Sequence, residues 1–446
     1  MAEPTLTVGI LTEKRVKFAL FGDFTTQSLP GIFNGPYTAE ISNGKVKIAN
    51  KSNSHLFESG IIFTPSLPAD ESFLINDVTI GVKFHWERKE KQSFRGSIKF
   101  IIEDDKITVI NVVHIEEYLK SVISSEMSSK SSLNLLKAHA VISRSWLLAQ
   151  IEAAKIKKDL TQEQKGMIIS DSEIIRWYDS EDHQNFDVCA DDHCQRYQGI
   201  TKFFTDSAFA AVEETRGLVM KYGDEICDAR FSKSCGGISE PFENVWENTH
   251  HPYLVDIIDY KFEPDGYNLD FSVEKNAIKW IDGDPHAYCN TNDSAILSQV
   301  LLQYDRETSD FFRWKVVYSQ EKVKELLKKR LNFDGGDIID MIPVQRGKSS
   351  RLIKLKIKGA GKEIVIGKEL EIRRALSDSH LYSSAFYVEK KNIIDGVPQV
   401  FVLHGAGWGH GAGLCQIGAA VMAERGFQFD EILTHYYKSV DLVKLY

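Results

Sequence analysis

The N-terminal part of the chain alternates apolar and polar residues with the period of two that is typical of β-strands. Such runs recur at VKFALFG, AEISNGKVKIAN, DVTIGVKFHW and GSIKFIIEDDKITVINVV, separated by Asn-Gly and Gly-Pro turns. Because successive side chains of a strand point to opposite faces, this pattern predicts strands with one buried face. We therefore expect a β-rich N-terminal domain over residues 1–108.

The periodicity becomes helical after this region. One apolar stripe at helical spacing comprises Ile115, Tyr118, Leu119, Val122 and Ile123. Glu126 follows at the end of that stripe. A second helix is predicted over about 132–154, with Ser131 or Ser132 as its cap. Its middle, LLKAHAVISRSWLLA, is apolar on nearly every side, which predicts a core helix.

The remaining sequence mixes helical and strand signals. Residues 155–180 are charged and Gln-rich, and residues 256–335 combine a charged helical segment, EKVKELLKKRL, with weak strand patterns, so we expect two insertions. Strands return at LIKLKIKG, KEIVIG and AFYVEK. FVLHGAGWGHGAGLCQIGAAVMAERG then predicts a strand, a glycine loop and a helix closed by Gly426. The expected fold class is α+β, with a mixed α/β domain over residues 109–446.

Composition and charge narrow the function classes. A chain of 446 residues that is 43% hydrophobic is long enough for two domains. The net charge of −9 argues against a nucleic-acid partner, which requires dense positive charge on one face. The N-terminal MAEPTLTVGILTEKRV has no basic segment followed by an apolar run, and no stretch approaches the apolar length of a membrane helix. These patterns predict neither an export signal nor a membrane span.

Glu126 is a candidate proton donor because it ends an apolar stripe. Burial disfavours an ionised carboxylate, so we expect its pKa to rise toward the range of a general acid. On the next helix Lys137 and Arg144 share one face with Val141 and Leu148. From spacing alone, the favoured role for Glu126 is structural: an ion pair with Lys137 or Arg144, or a cap of the turn SSEMSSKSS.

The segment EEYLKSVISSEM followed by LLKAHAVISRSWLLA resembles the SpoIID/LytB family, named for stage II sporulation protein D and an amidase enhancer. The family places its essential acid at the position of Glu126 and conserved cations at those of Lys137 and Arg144. It usually has alanine where this chain has Ser143. The resemblance shifts the interpretation of Glu126 from a structural to a catalytic role.

The resemblance implies a peptidoglycan lytic transglycosylase that cleaves the MurNAc-GlcNAc linkage and leaves 1,6-anhydroMurNAc ends. One acid/base suffices, because the C6 hydroxyl of the sugar supplies the nucleophile within the substrate. Ordinary glycosidases need a second carboxylate. A muramic acid stripped of its stem peptide carries a lactyl carboxylate, which Lys137 and Arg144 are expected to bind. Peptide-stripped glycan is therefore the preferred substrate.

A second interpretation comes from the amidase-enhancer branch of the family. The chain would then bind peptidoglycan without cleaving it and stimulate a cell-wall amidase. The family implies a location in the periplasm or cell envelope, although no export signal is visible in this sequence.

The glycine-rich run GAGWGHGAG lacks the third glycine of the dinucleotide-binding fingerprint. Its glycines predict either unusual torsions and close ligand approach, or a tight turn with His410 hydrogen-bonded inside it. GWGHGAGLCQIGA resembles the family's C-terminal motif, which assigns Gly409, His410, Gly411 and Gln416 to the substrate cleft. Cys415 stands where serine is usual. For His410, transition-state stabilisation and substrate binding both stay open.

The turn FSKSCGGIS resembles a family turn written Ser-x-Gly-Gly-x-Thr, with Cys235 and Ser239 as departures. We expect Ser234, Gly236 and Gly237 to belong to the cleft. Further matching segments are ENVWENTHHPYLVDI, RRALSDSHLYSSAF and HYYKSVDL, so the resemblance covers roughly residues 108–446.

Four potential metal ligands lie close together in the sequence. They are His183, Cys189, His193 and Cys194. Two thiolates and two imidazoles form a plausible tetrahedral zinc site, and four protein ligands would make it structural because no position stays open for water. Some family members resemble this segment and carry zinc near the cleft. The alternatives are a disulfide between Cys189 and Cys194, plain surface residues, or a zinc hydrolase. The six cysteines do not predict a disulfide framework.

Overall fold

The structure is a computed structural model that describes residues 2–81, 87–128, 131–157, 167–177, 183–191, 194–201, 206–263, 270–301 and 310–446. Ten strands occupy the N-terminal part of these residues. They are β1 (Thr5–Glu13), β2 (Arg15–Thr26), β3 (Leu29–Ser42), β4 (Lys45–Ala49), β5 (Ser54–Phe57), β6 (Ile61–Pro65), β7 (Ser72–Ile80), β8 (Arg88–Phe94), β9 (Ser97–Glu103) and β10 (Lys106–His114). The predicted β-rich N-terminal region is confirmed.

Helices and short strands alternate in the rest of the chain. They are α1 (Ile115–Glu126), α2 (Leu133–Lys157), β11 (Ile168–Ile169), β12 (Glu173–Ile175), β13 (Val188–Cys189), α3 (Asp206–Glu214), β14 (Leu218–Tyr222), β15 (Glu225–Ile226), β16 (Phe231–Ser232), α4 (Phe242–Val245), α5 (Glu274–Asp282), α6 (Ser294–Val300), β17 (Arg313–Ser319), α7 (Gln320–Leu331), β18 (Ile338–Arg346), β19 (Leu352–Gly359), β20 (Glu363–Gly367), α8 (Glu369–Ala375), β21 (Phe386–Ile394), β22 (Val397–Ala406), β23 (Leu414–Cys415), α9 (Gln416–Glu424), α10 (Phe429–Tyr436) and β24 (Asp441–Lys444). The α+β class is confirmed.

The N-terminal strands form one continuous sheet with the order β13-β1-β10-β9-β6-β2-β3-β4-β5, and β7 joins β2 to β8. Phenylalanines on the inner faces pack closely; the rings of Phe18 and Phe100 are 4.7 Å apart. β10 runs antiparallel along β1, so the predicted domain boundary at residue 108 falls inside a strand. The division into domains stays a prediction. β13 adds to this sheet from the second part of the chain, parallel to β1.

The segments predicted as insertions contribute strands to the second part. β12 pairs in parallel with β20, and β17 pairs along β22 over its whole length. The predicted charged helix is confirmed as α7. Residues 158–166 and 178–180 of the first predicted insertion lie outside the described residues.

Helix α2 is the centre of the second part, because α1, α3, α9, α10 and β14 all pack on it. This explains why its sequence is apolar on nearly every side, as predicted. The glycine-rich segment forms the predicted strand, loop and helix as β22, β23 and α9, and Gly426 follows the helix with a φ of +89°. Within the described ranges, no helix is long and apolar enough to cross a membrane.

Candidate functional site

Glu126 is the last residue of α1 and is half-buried. Its Oε1 accepts a hydrogen bond from the backbone N–H of Arg196 at 2.9 Å. Among the described residues it forms no ion pair and no second side-chain hydrogen bond. The ion pair with Lys137 or Arg144 that spacing favoured is therefore absent from this part of the chain, and one carboxylate oxygen stays available to a ligand.

Arg144 is fully buried and engaged by other groups. Its Nε and Nη2 donate to the two carboxylate oxygens of Glu116 at 2.9 and 2.6 Å, and its Nη1 donates to the carbonyl of Leu218 at 2.9 Å. Burial alone would raise the pKa of Glu116, but the hydrogen bonds and charge of Arg144, together with hydrogen bonds from Tyr446 and the Gly217 N–H, hold that pKa below its ordinary value. The expected contact of Arg144 with a glycan carboxylate conflicts with this burial.

Lys137 lies on the same face of α2, as the spacing predicted. Its Nζ forms an ion pair with Glu214 at the end of α3. That face packs against α3 and β14, which explains why neither Lys137 nor Arg144 meets Glu126. Helical periodicity defined the face correctly, but it did not define what the face contacts.

His139 lies on the opposite side of α2, since two residues turn a helix by about 200°. It is buried, and its Nε2 is 3.0 Å from Nε2 of Gln416. Burial and then the charge of Lys233 lower the pKa of His139 to about 3, so the ring is neutral near pH 7. Gln416 therefore donates to Nε2, and the ring proton resides on Nδ1, which faces Ser143 Oγ at 3.3 Å.

Gln416 connects the glycine-rich motif to the helices α1 and α2 next to Glu126. Its amide nitrogen is also 3.8 Å from the sulfur of Met127, the residue after Glu126. The Gln416 side chain is buried, and its predicted place in the cleft stays a prediction. Sequence reasoning missed His139, for which the available signal was an imidazole in a helix predicted to lie in the core.

The turn after Glu126 is anchored by Gln299 at the end of α6. The backbone carbonyl of Gln299 accepts from the N–H of Ser128 at 3.0 Å and from the hydroxyl of Ser131 at 2.7 Å. Its side-chain oxygen accepts from the N–H of Ser132 at 3.0 Å. Gln299 belongs to the segment predicted as an insertion, so this segment positions the turn next to Glu126.

The glycine loop has the unusual torsions that its sequence predicted. Gly407, Gly409, Gly411 and Gly413 have φ values of +71°, +89°, +78° and +71°. A Cβ at Gly411 would lie 2.4 Å from Cζ of Arg351, so glycine there makes room for a buried guanidinium.

Arg351 holds the two glycine-containing turns together. It donates to the carbonyl of Cys235 at 3.0 Å and to that of Gly409 at 3.2 Å. Sequence reasoning missed Arg351, because the residues it joins are far apart in the chain.

His410 is built into the loop. Its Nδ1 accepts from the N–H of Ala412 at 3.0 Å, a second hydrogen bond involves the backbone of Phe231, and its ring packs edge-on against Trp246. Burial, followed by the charges of Arg230 and other arginines, lowers the pKa of His410 well below its ordinary value. A neutral ring with both nitrogens engaged supports the structural interpretation of His410.

The Ser-Cys-Gly-Gly turn and the glycine loop are joined. β16 runs parallel to β23, and Ser234 and Trp408 exchange backbone hydrogen bonds of 3.0 and 2.8 Å. Gly236 and Gly237 have φ values of +79° and +110°. Ser234, Gly236 and Gly237 are all buried, and their predicted place in the cleft stays a prediction.

Three of the four predicted zinc ligands converge. The ligand atoms of His183, Cys189 and Cys194 lie within 4.8 Å of one another, while His193 lies outside the described residues. Thiolate and imidazole donors fit zinc. The same segment continues to Arg196, whose N–H binds Glu126, so this cluster is directly connected to the catalytic candidate.

Family models match two parts of this chain. Residues 103–222 match the stage II sporulation protein family, and residues 240–413 match a domain of unknown function (DUF8618). An uncharacterised protein of Brachyspira hyodysenteriae is 24% identical over 92% of this chain and 90% of its own length. The amidase enhancer of Bacillus subtilis is 26% identical over 73% of this chain but only 40% of its own length.

Stage II sporulation protein D of Bacillus amyloliquefaciens is 22% identical over 74% of each chain. The family-like motifs identified around Glu126 lie inside the matched segment. The resemblance found in the sequence is therefore confirmed: this chain carries a domain of the SpoIID/LytB family.

Proposed function

We propose that the chain is a peptidoglycan lytic transglycosylase that cleaves glycan strands, with Glu126 as its single general acid/base. The observation that carries the proposal is the state of Glu126: half-buried, fixed by one backbone N–H, and without an ion pair among the described residues. A carboxyl group in this state is held in place and can exchange a proton with a ligand.

One carboxyl group is sufficient for this reaction. Glu126 first protonates the glycosidic oxygen between MurNAc and GlcNAc, and then accepts the proton of the C6 hydroxyl as that oxygen attacks C1 of the same sugar. The bond to the leaving sugar breaks, a 1,6-anhydro bond forms, and no water is consumed. The intramolecular nucleophile replaces the second carboxylate of other glycosidases.

The proposed glycan contacts are Glu126 and the half-buried Gly409 of the glycine loop, while His410 supports this loop through its two ring hydrogen bonds. The buried residues Gly411 and Gln416 support that surface. Lys137 and Arg144 are assigned to helix packing, since their charges are already paired.

We also propose that His183, Cys189 and Cys194 hold a structural zinc ion, with His193 as the fourth ligand. Bound zinc would fix the segment that supplies the Arg196 N–H to Glu126. No catalytic step is assigned to the metal.

The second candidate is a glycan-binding protein that stimulates a cell-wall amidase. It is favoured by one observation, the similarity to a protein named amidase enhancer, of which this chain matches 40%. The same surface would bind glycan in both cases, and only cleavage separates them.

The test is mass spectrometry of peptide-stripped glycan strands after incubation with the native protein, with Glu126→Gln and with Glu152→Gln. Glu152 is an exposed carboxylate on α2 and serves as the matched control. We expect 1,6-anhydro ends from the native protein and from the control, and a loss of at least about 100-fold in Glu126→Gln, as for removal of a general acid.

Circular dichroism of Glu126→Gln checks that the fold is retained. Binding of glycan by the native protein without anhydro ends would overturn the enzymatic proposal in favour of the binding protein. Equal cleavage by Glu126→Gln would overturn the role of Glu126.

A further inference from the structure

A second group of potential metal ligands lies in the interior, away from His183. It consists of Cys235, Asp259, Cys289 and Cys415, whose ligand atoms all lie within 4.8 Å of one another. All four side chains are at most 2% exposed. We propose that these four residues bind a structural zinc ion that fastens the 256–301 region to the base of the glycine loop.

The distances suit a tetrahedral ion. Two thiolates bound at about 2.3 Å to a tetrahedral zinc lie about 3.8 Å apart. The Sγ atoms of Cys235 and Cys289 are 3.7 Å apart. Three thiolates and one carboxylate satisfy four-coordinate zinc, and the closed, buried set leaves no position for substrate water.

The backbone around the sulfurs supplies hydrogen-bond donors. The N–H of Cys235 donates to Sγ of Cys415 at 3.3 Å, and the N–H of Gly237 donates to Sγ of Cys235 at 3.4 Å. Donors to sulfur stabilise metal-bound thiolates and tune their charge. Nearby, the buried guanidinium of Arg351 donates to the carbonyl of Cys235, which adds a positive charge beside the anionic ligand set.

Asp259 is oriented as metal-binding carboxylates are. Its Oδ1 accepts from the hydroxyl of Tyr436 at 2.6 Å, and its Oδ2 accepts from the N–H of Cys289 at 2.8 Å. Among the described residues no basic side chain pairs with it. A buried carboxylate without a cation is costly, and a bound divalent ion would supply the missing charge.

The ligands come from four separate segments. Cys235 lies in the Ser-Cys-Gly-Gly turn, Asp259 and Cys289 lie in the predicted second insertion, and Cys415 directly precedes Gln416 at the start of α9. Zinc at this position would cross-link these segments next to Gln416, whose side chain contacts His139. The site is therefore expected to stabilise the folded state and not to take part in proton transfer.

The test measures zinc by elemental analysis in protein purified without chelators. The starting protein is Cys189→Ser/Cys194→Ser, which lacks the ligands near Glu126. We expect one zinc per chain to remain, and Cys415→Ser added to this variant to remove it. Cys227→Ser is the matched control, because Cys227 is equally buried but belongs to neither group.

Two further measurements keep the test decisive where the ligand variants unfold. X-ray absorption of the starting variant should show three sulfur ligands and one oxygen ligand on zinc. Tyr436→Phe, which removes only the hydrogen bond to Asp259, should weaken zinc binding about 10- to 100-fold in chelator competition, as for other groups that orient ligands. The zinc assignment is overturned by a disulfide between Cys235 and Cys289, by three metal-free thiols, or by iron as the bound metal.

Discussion

Arg144 and Glu116 form a two-point ion pair across the packed interface of α2 and α1, with hydrogen bonds of 2.9 and 2.6 Å and almost no exposure to solvent. Removing one partner of a buried pair leaves an uncompensated charge, which costs about 3–5 kcal/mol. We therefore expect Arg144→Ala to lower the free energy of unfolding by about this amount, measured by urea denaturation.

Lys137→Ala is the matched control, since its ion pair with Glu214 is half-exposed and such pairs contribute at most about 1 kcal/mol. If Arg144 were instead a ligand-binding cation, Arg144→Ala would leave stability near that of the control and weaken glycan binding selectively.

The buried imidazole of His139 predicts a pH dependence of stability. Its pKa is lowered from 6.5 to about 3 by burial and then by Lys233, so the unfolded chain binds the proton more tightly than the folded one. Its stabilising contribution is complete above pH 6.5 and is lost as the pH falls toward 3, by at most about 1.4 kcal/mol per pH unit.

We expect His139→Gln to make the free energy of unfolding less dependent on pH in this interval. His250→Gln, at an exposed histidine, should reproduce the native slope. An unchanged slope in His139→Gln would contradict a neutral buried imidazole at this position.

Local patterns were sufficient to predict the strands of the N-terminal region, the apolar stripe of α1 and the strand-loop-helix around Gly409. They failed where a contact joins distant segments. Lys137 and Arg144 were correctly placed on one face of α2, yet nothing in the spacing indicates that this face packs on Glu116 and Glu214. The cysteines near Glu126 were detectable because they are close in sequence.

The group of Cys235, Asp259, Cys289 and Cys415 was not predicted, because its members are spread over residues 235–415. Likewise, β17 lies in a segment predicted as an insertion, and its pairing with β22, which lies far along the chain, was not predicted. Pairing of distant strands is a tertiary property, and a window of neighbouring residues carries no information about it.

Gly411 should tolerate a methyl group less well than a glycine in open space. Both Gly411 and Gly426 have positive φ. The left-handed backbone is unfavourable for alanine, so alanine at either position lowers the free energy of unfolding by about 1–2 kcal/mol. A Cβ at Gly411 also meets Arg351 at 2.4 Å, whereas a Cβ at Gly426 meets nothing within 4 Å. We expect Gly411→Ala to lower the free energy of unfolding by at least about 1 kcal/mol more than Gly426→Ala, as overpacking does. If thermal or urea unfolding shows equal losses of stability in the two variants, the contact with Arg351 is not what requires glycine at position 411.

Gln299 should influence Glu126 without touching substrate. Its backbone carbonyl and side-chain oxygen bind the turn of Ser128, Ser131 and Ser132, which begins two residues after Glu126. Gln299→Ala removes the acceptor of the Ser132 N–H together with the hydrogen bond that the Gln299 amide donates to Glu424, and it leaves the partly buried N–H of Ser132 without this acceptor at a cost of about 1–3 kcal/mol.

If Glu126 is the general acid, loosening this turn should lower the rate at which anhydro ends form more than it weakens glycan binding. Gln27→Ala, at an exposed position of the N-terminal sheet region, serves as the control and should change neither quantity. Measuring initial rates at saturating glycan together with binding to insoluble strands separates the two effects. A loss of binding with an unchanged rate would show that the turn contacts glycan directly and does not act by positioning Glu126.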